Sequence, residues 1–212
     1  MDIRERIQVK AQELFMQYGI RSVSMDDIAT QLGMSKKTIY QYFSDKDELV
    51  DAVLNGEISE MQCNCKDCSE HAQDAVHEIF LTLDHVDEQL RHINPIVLYD
   101  LEKFHFKTFQ KFQQHKQKFL FEIFKNNIER GIREELYRPE LQVDVMVKFR
   151  LESIMIPFNI TVFPPSKYNV ADVTKELIEH FVYGLATPKG YKLIQKYKQE
   201  RIHKTPSNAK TK

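Results

Sequence analysis

The chain has 212 residues, of which 42% are hydrophobic and 29% charged, and its net charge is -1 at neutral pH. This balance excludes a disordered chain, and the near-zero charge excludes a protein that binds nucleic acid over its whole surface. No apolar run is long enough to span a bilayer, and the start of the chain alternates charges, so we expect a cytoplasmic protein.

The chain contains only six glycines and seven prolines, and between them apolar residues recur at every third and fourth position. This period predicts an all-α fold. The first helix is expected to run from Ile3 to the residue before Gly19. Ser24 and Asp27 form a capping signature for a short second helix, which Gly33 is expected to end.

Two helices are predicted to follow. Ser35 is the expected cap of a third helix at 36–43, and after Ser44 the sequence DKDEL places acidic side chains in the first turn of a fourth, where the helix dipole favours them. Residues 63–70 are polar and lack periodicity, so we place a domain boundary there. Further helices are expected at about 76–91, 95–104, 109–131 (ended by Gly131), 141–158 and 170–186.

The segment at 25–44 has the features of a helix-turn-helix. Two short helices that meet at a steep angle require a small residue at their contact, a turn residue that tolerates positive φ, and an apolar anchor on the second helix. Ala29, Gly33 and Ile39 meet these requirements in that order. Other helical proteins can place apolar residues in this way, so the trio alone is only moderately specific.

The polar side chains of the third helix suit DNA. A recognition helix presents its amino-terminal half to base edges, where Lys and Gln can donate, while Thr, Tyr and the helix terminus can bind phosphate. The predicted DNA-binding residues are Ser35, Lys36, Lys37, Thr38, Tyr40, Gln41, Tyr42 and Lys46. A solvated polar face beside an ordinary capped turn is the alternative that the spacing leaves open.

The stretch at 7–54, which includes SVSMDDIATQLGMSKKTIYQYFSDKDELVDAVL, resembles the DNA-binding domain of the TetR family of bacterial transcriptional regulators. The resemblance implies that Lys37 and Tyr40 face bases and that Thr38, Tyr42 and Lys46 hold phosphates. The acidic Asp45 beside Lys46 departs from a purely cationic site and implies modest local affinity for phosphate.

The resemblance also implies a larger helical bundle that holds a ligand and pairs with a second subunit through its last two large helices. A helix-turn-helix protein normally contacts two half-sites, which independently predicts a homodimer. The expected fold is therefore an N-terminal three-helix domain joined to a helical-bundle ligand-binding and dimerisation domain. The predicted parts are a helix-turn-helix domain at 1–48, a connecting helix at 46–62, the larger domain at 66–200 and a basic tail at 201–212.

Aromatic side chains in the larger domain could line an apolar pocket, although aromatics at helical spacing are more often plain core. Asn127 and Glu152 lie on apolar stripes, and a buried polar group needs a partner, which a ligand can supply. The predicted ligand-binding residues are Tyr99, Phe104, Phe124, Asn127, Phe149 and Glu152.

Three cysteines and a histidine, Cys63, Cys65, Cys68 and His71, lie close together in the sequence. They offer enough soft ligands for zinc or for a redox switch, but their spacing is irregular for either role, and reduced, inert thiols are the simpler interpretation.

The sequence predicts a DNA-binding transcriptional repressor, not an enzyme, that a small and largely apolar effector releases from its operator. No cofactor is expected, because the chain has no glycine-rich phosphate loop, no HExxH pair and no nucleophile with an evident base. Two alternatives stay open: a helical carrier or enzyme that uses an aromatic cavity, and a DNA-binding regulator that has no small effector.

Overall fold

The computed structural model describes residues 1–204, with side chains as far as Arg201. Within this range the fold is all-α, as predicted, and contains no strands. The helices are α1 (Ile3–Tyr18), α2 (Met25–Leu32), α3 (Lys36–Tyr42), α4 (Lys46–His71), α5 (Ala75–Leu90), α6 (Ile96–Phe104), α7 (Phe106–His115), α8 (Phe121–Arg133), α9 (Val143–Ser153), α10 (Val170–Leu185) and α11 (Pro188–Lys204).

The ends of the first three helices agree with the sequence. Gly19 follows α1 with φ 86°, and Gly33 follows α2 with φ 64°, both in the region that favours glycine. Ser24 and Asp27 form the predicted capping box of α2, and Ser35 caps α3 by accepting from the backbone N–H of Thr38. These caps satisfy backbone groups that would otherwise lack partners, so local sequence defines the three helices.

Helix α4 is longer than the sequence predicted, because it continues through 63–70, the polar segment expected to be a domain boundary. One face of this segment is buried: Cys68 is only 2% exposed, and Cys65 packs against the core of the larger domain. The segment is polar but amphipathic, and cysteine acts there as a small apolar residue. The connection between the two parts of the chain is therefore a continuous helix.

The long helix predicted at 109–131 is interrupted. A π-helical turn at Lys116–Leu120 separates α7 from α8, and α8 continues past Gly131 to Arg133. The prediction that Gly131 ends the helix is wrong. This glycine lies inside α8, where an added Cβ atom would overlap the ring of Tyr137. Glycine is needed here for close packing and not for a left-handed turn.

Two hydrophobic cores organise the chain. The first is formed by α1 to α4 and includes Ile7, Phe15, Ile39 and Leu49, all 0–1% exposed. It also contains Leu101 of α6 and Phe109 of α7. The helix-turn-helix domain therefore completes its core with side chains of the larger domain, even though the sequence predicted two separate units.

The second core joins α5, α8, α9, α10 and α11 and contains the fully buried Tyr137. Helix α11 is anchored in it through Ile194 and Tyr197. Residues 201–204 of the predicted basic tail belong to the last turn of this helix. The rest of the predicted tail, 205–212, lies outside the described residues. No helix in the described part of the chain is long and apolar enough to cross a membrane.

Candidate nucleic-acid interface

The turn between α2 and α3 has the geometry of a helix-turn-helix. The backbone N–H of Met34 donates to the carbonyl of Ala29 over 2.9 Å, which folds the chain back at Gly33. Ala29 is 4% exposed at the contact between the helices, and Ile39 anchors α3 in the core with no exposed surface. Each residue of the predicted trio thus occupies the position that the sequence assigned to it.

The anchoring of Ile39 and Phe43 in the core directs the opposite face of α3 to solvent. Lys36, Lys37 and Gln41 are exposed there, and the side chain of Tyr40 is 42% exposed. A short helix with one buried anchor face and one donor-rich exposed face matches the shape and chemistry of the DNA major groove.

The two lysines at the start of α3 differ in their surroundings. The ammonium group of Lys36 lies 2.8 Å from the carboxylate of Asp26, and this hydrogen bond raises the Lys36 pKa. Lys37 is exposed and takes part in no ion pair within the described residues. Lys37 is therefore the readier donor to DNA, because Lys36 must first exchange its carboxylate partner.

Three further predicted residues are partly engaged within the protein. The hydroxyl groups of Ser35 and Thr38 lie 2.8 Å apart, and the Ser35 hydroxyl also accepts from the Thr38 backbone. Tyr42 is half-buried against the first core. These side chains are held in place by the cap and the core, so they would not have to be ordered when a phosphate binds.

Lys46 is less free than the sequence implied. Its ammonium group donates to the carbonyl of Ile20 over 2.5 Å and lies 5.8 Å from the ring centre of Phe15. Partial burial lowers the Lys46 pKa. Lys46 ties the start of α4 to the turn after α1, and any contact with phosphate would compete with this hydrogen bond.

Arg4 is a residue of this region that sequence reasoning missed. Its guanidinium group donates to the carbonyl of Tyr42, lies 4.2 Å from the ring centre of Phe43 and pairs with Glu48 over 3.3 Å. Arg4 thereby fastens α1 to the end of α3. No local pattern could reveal it, because its partners lie about 40 positions away along the chain.

The helix-turn-helix domain is bonded to α6 at the turn after α1. Asp100, only 3% exposed, accepts from the backbone N–H of Arg21 over 2.8 Å. A Cβ atom at Gly19 would come within 2.5 Å of the Ile96 side chain. Glycine is therefore required at position 19 both for its positive φ and for the approach of α6.

The residues predicted to bind a ligand do not converge. Tyr99, Phe104 and Phe149 are 47%, 42% and 54% exposed. Asn127 is buried, but its amide donates to the Ala75 carbonyl and accepts from the Tyr137 hydroxyl. The protein thus satisfies Asn127 by itself, and the three exposed rings do not line a common cavity in this structure.

The remaining two members of this set lie in one region. Phe124 is half-buried, with the guanidinium group of Arg150 5.3 Å from its ring centre. Glu152 is not on a buried stripe as predicted, since its side chain is 76% exposed and pairs with the buried Lys116 over 3.0 Å. Sequence reasoning missed Lys116 and Arg150, although basic residues on the apolar faces of helices were a visible signal.

The cysteine cluster has no geometry for metal. Within the described residues, no group of His, Cys, Asp or Glu could hold a metal ion. Burial raises the pKa of the Cys65 thiol to about 11 and also raises that of Cys68. Thiols that stay protonated at neutral pH react slowly with oxidants, which supports the inert interpretation for Cys65 and Cys68.

Comparison with known proteins identifies the N-terminal domain. Residues 7–53 match the family described as bacterial regulatory proteins of the tetR family. An uncharacterised HTH-type transcriptional regulator, YvaF of Bacillus subtilis, is 33% identical over 103 residues, which cover 48% of this chain and 54% of YvaF. The HTH-type transcriptional repressor KstR2 of Rhodococcus jostii is 22% identical over 84% of this chain and 88% of its own length.

Solved structures share the fold over most of the chain. The transcriptional regulator FadR of Bacillus subtilis, solved in complex with stearoyl-CoA, is 18% identical and superposes with a TM-score of 0.66. The match covers 85% of this chain and 98% of FadR. At this identity the likeness establishes the fold, and it extends over both hydrophobic cores.

Proposed function

This chain belongs to the TetR family of bacterial regulatory proteins, and from that membership we propose that it is a DNA-binding transcriptional repressor controlled by a small effector. The relatives are transcriptional regulators and not enzymes. The observation that carries the proposal is α3, whose core-anchored back face leaves a donor-rich front face in solvent.

The roles of the interface residues follow from how exposed each side chain is and whether it is already bonded within the protein. Lys37, Tyr40 and Gln41 are exposed and reach base edges, while Ser35, Lys36, Thr38 and Tyr42 contact phosphates at the margins. Lys46 contributes mainly by positioning the start of α4, because its ammonium group is already bonded to Ile20. With a net charge of -1, one subunit lacks the general electrostatic attraction that tight binding needs.

A homodimer supplies the second contact with DNA. On α9 and the turn after it, Val145, Phe149 and Ile156 are 47%, 54% and 40% exposed and follow a helical repeat. Glu152 lies on the same face, and its charge is paired with Lys116 over 3.0 Å. The Phe149 ring stacks on Phe181 of α10 with 6.1 Å between ring centres. An exposed apolar stripe of this kind marks an interaction surface, which supports pairing through α9 and α10 of two subunits.

We expect Phe149→Glu to shift the protein from dimer to monomer and to weaken its binding to a palindromic operator, because it places a charge in the apolar stripe. Sedimentation velocity and DNA titration measure the two effects. Phe106→Glu is the matched control, since Phe106 is 58% exposed on α7 and should leave the dimer intact. A Phe149→Glu protein that stays dimeric would contradict this assignment of the interface.

The DNA-binding role is tested by selection from a random duplex library with the purified full chain. We expect enrichment of palindromes whose half-sites are centred about one helical turn, or a multiple of it, apart. Recovery of unrelated sequences, or of no duplex at low salt, would refute a sequence-specific regulator. The selected palindrome then serves as the operator in all other DNA titrations.

A further inference from the structure

Most buried charged side chains of the larger domain have an ion-pair partner; Asp100, which accepts from the backbone N–H of Arg21, and Arg150 do not. Glu78 pairs with Arg130 over 3.4 Å, Lys116 with Glu152 over 3.0 Å and Glu179 with Lys198 over 2.5 Å. Arg150 is 9% exposed, yet among the described residues no carboxylate lies within ion-pair distance of it. This guanidinium group is therefore a buried cation without a counter-ion.

Arg150 makes one hydrogen bond within the protein through its guanidinium group, and none of its other nitrogens is fully buried without a partner. One nitrogen donates to the Ser153 hydroxyl over 2.9 Å, and the group lies 5.3 Å from the ring centre of Phe124. A guanidinium group has five N–H donors. Burial lowers the Arg150 pKa to about 10, so the group still carries its charge at neutral pH. Burial of an unpaired charge costs several kcal/mol. A bound ligand that carries the opposite charge would offset this cost.

A buried lysine and a buried histidine with an unsatisfied nitrogen lie at the start of the π-helical turn against which α9 packs. Helix α9, which carries Arg150, packs against the π-helical turn that begins at the buried Lys116. His115, 7% exposed, precedes this turn, and its Nε2 atom has no hydrogen-bond partner within the described structure. Among the described residues, the carboxylate paired with these groups is Glu152, at the surface. Isolated π turns within helices are frequent at functional sites.

The chemistry of these groups specifies the ligand. A guanidinium group binds carboxylates through two parallel N–H···O bonds. The Phe124 ring lies beside the Arg150 guanidinium group, and on the π-helical turn Phe119 stacks on His115 at 5.2 Å between ring centres. An ion with a charged head and an apolar body satisfies both features.

We propose that the effector of this regulator is an amphipathic carboxylate and that Arg150 binds its carboxylate group. This inference rests on the proposed function, because only a regulator has an effector. Binding of the carboxylate itself can be measured without DNA. It also refines the sequence-based expectation of a largely apolar effector, because it adds a carboxylate group that pairs with Arg150.

The test uses the full chain, its selected operator, and hexanoate, decanoate and palmitate, each compared with the alcohol of the same length. In calorimetry we expect at least one carboxylate to bind wild-type protein at least about tenfold more tightly than its alcohol, as the loss of one charged hydrogen-bonded pair predicts. Arg150→Met should abolish this preference, while Arg133→Gln, which removes an exposed arginine of α8, should retain it.

Stability supplies a second measurement that separates a binding role from a structural one. Without ligand, Arg150→Met should raise Tm by about 2–4 °C or more, because it removes an uncompensated buried charge and keeps an apolar side chain of similar length. A fall in Tm of similar size would show that Arg150 has a structural partner, and it would overturn the proposal.

The outcomes distinguish the two proposals. If carboxylate binding depends on Arg150 but no operator is found, the site stands and the regulator function fails. If the operator is bound, and carboxylates and alcohols bind equally or not at all, the carboxylate proposal is overturned and the regulator function stands. Release of wild-type protein, but not of Arg150→Met protein, from the operator by the same carboxylate supports both.

Discussion

Lys37→Ala is expected to weaken binding to the selected operator by about 1–3 kcal/mol, which corresponds to about 5- to 150-fold in Kd. Lys37 is exposed on the front face of α3 and, unlike Lys36, does not share its charge with Asp26. If it donates to a base edge, the loss should be confined to the cognate sequence. Titrations of the operator and of a scrambled duplex at several salt concentrations measure the effect.

Lys66→Ala is the control for charge, because Lys66 is exposed on α4 outside the helix-turn-helix. It removes the same charge and should leave operator affinity unchanged. An equal loss on operator and scrambled duplex for Lys37→Ala, with a shallower dependence on salt, would show that Lys37 contacts phosphate and not bases.

Gly131→Ala is expected to lower the free energy of unfolding by about 3 kcal/mol, or Tm by about 6–12 °C. The new methyl group would overlap the ring of Tyr137, which is fully buried and donates to the Ala75 carbonyl over 3.2 Å. The ring has no space to retreat without breaking this hydrogen bond. Urea and thermal unfolding of the purified protein measure the loss.

Gly184→Ala provides the matched control within α10. No heavy atom lies within 4 Å of a Cβ atom at Gly184, which is exposed. Alanine favours a helix over glycine by about 1 kcal/mol, so this variant should be slightly more stable than wild type. Equal stability of the two variants would mean that the packing of Tyr137 on α8 is looser than the structure shows.

The parts of the fold that sequence predicted well are those that local chemistry determines. Ser24, Gly33 and Ser35 interact with backbone groups only three or four residues away, so the sequence alone predicts their roles as caps and turn. The polar run at 63–70 was misjudged because its burial depends on the distant core of the larger domain. Gly131 was misjudged for the same reason, since Tyr137 decides what fits beside it.

The candidate sites also contain features that local sequence determines and features that distant packing determines. The exposure of Lys36, Lys37, Tyr40 and Gln41 on one face of α3 follows from helical spacing, whereas their contact with DNA stays a prediction. Glu152 was expected inside and lies outside, while Arg150, two positions earlier, lies inside. The two positions lie on different faces of α9, and packing against the neighbouring helices decides which face is buried; the basic residue on an apolar face was the one signal in the sequence.

The shared core has a consequence for engineering. Leu101 and Phe109 complete the hydrophobic interior beneath the helix-turn-helix, and Asp100 bonds to the backbone of Arg21. A chimera that grafts residues 1–62 onto another sensor would leave this interior open unless the host supplies equivalent side chains. The portable unit of this regulator is therefore discontinuous in sequence and must carry α6 and the start of α7 with it.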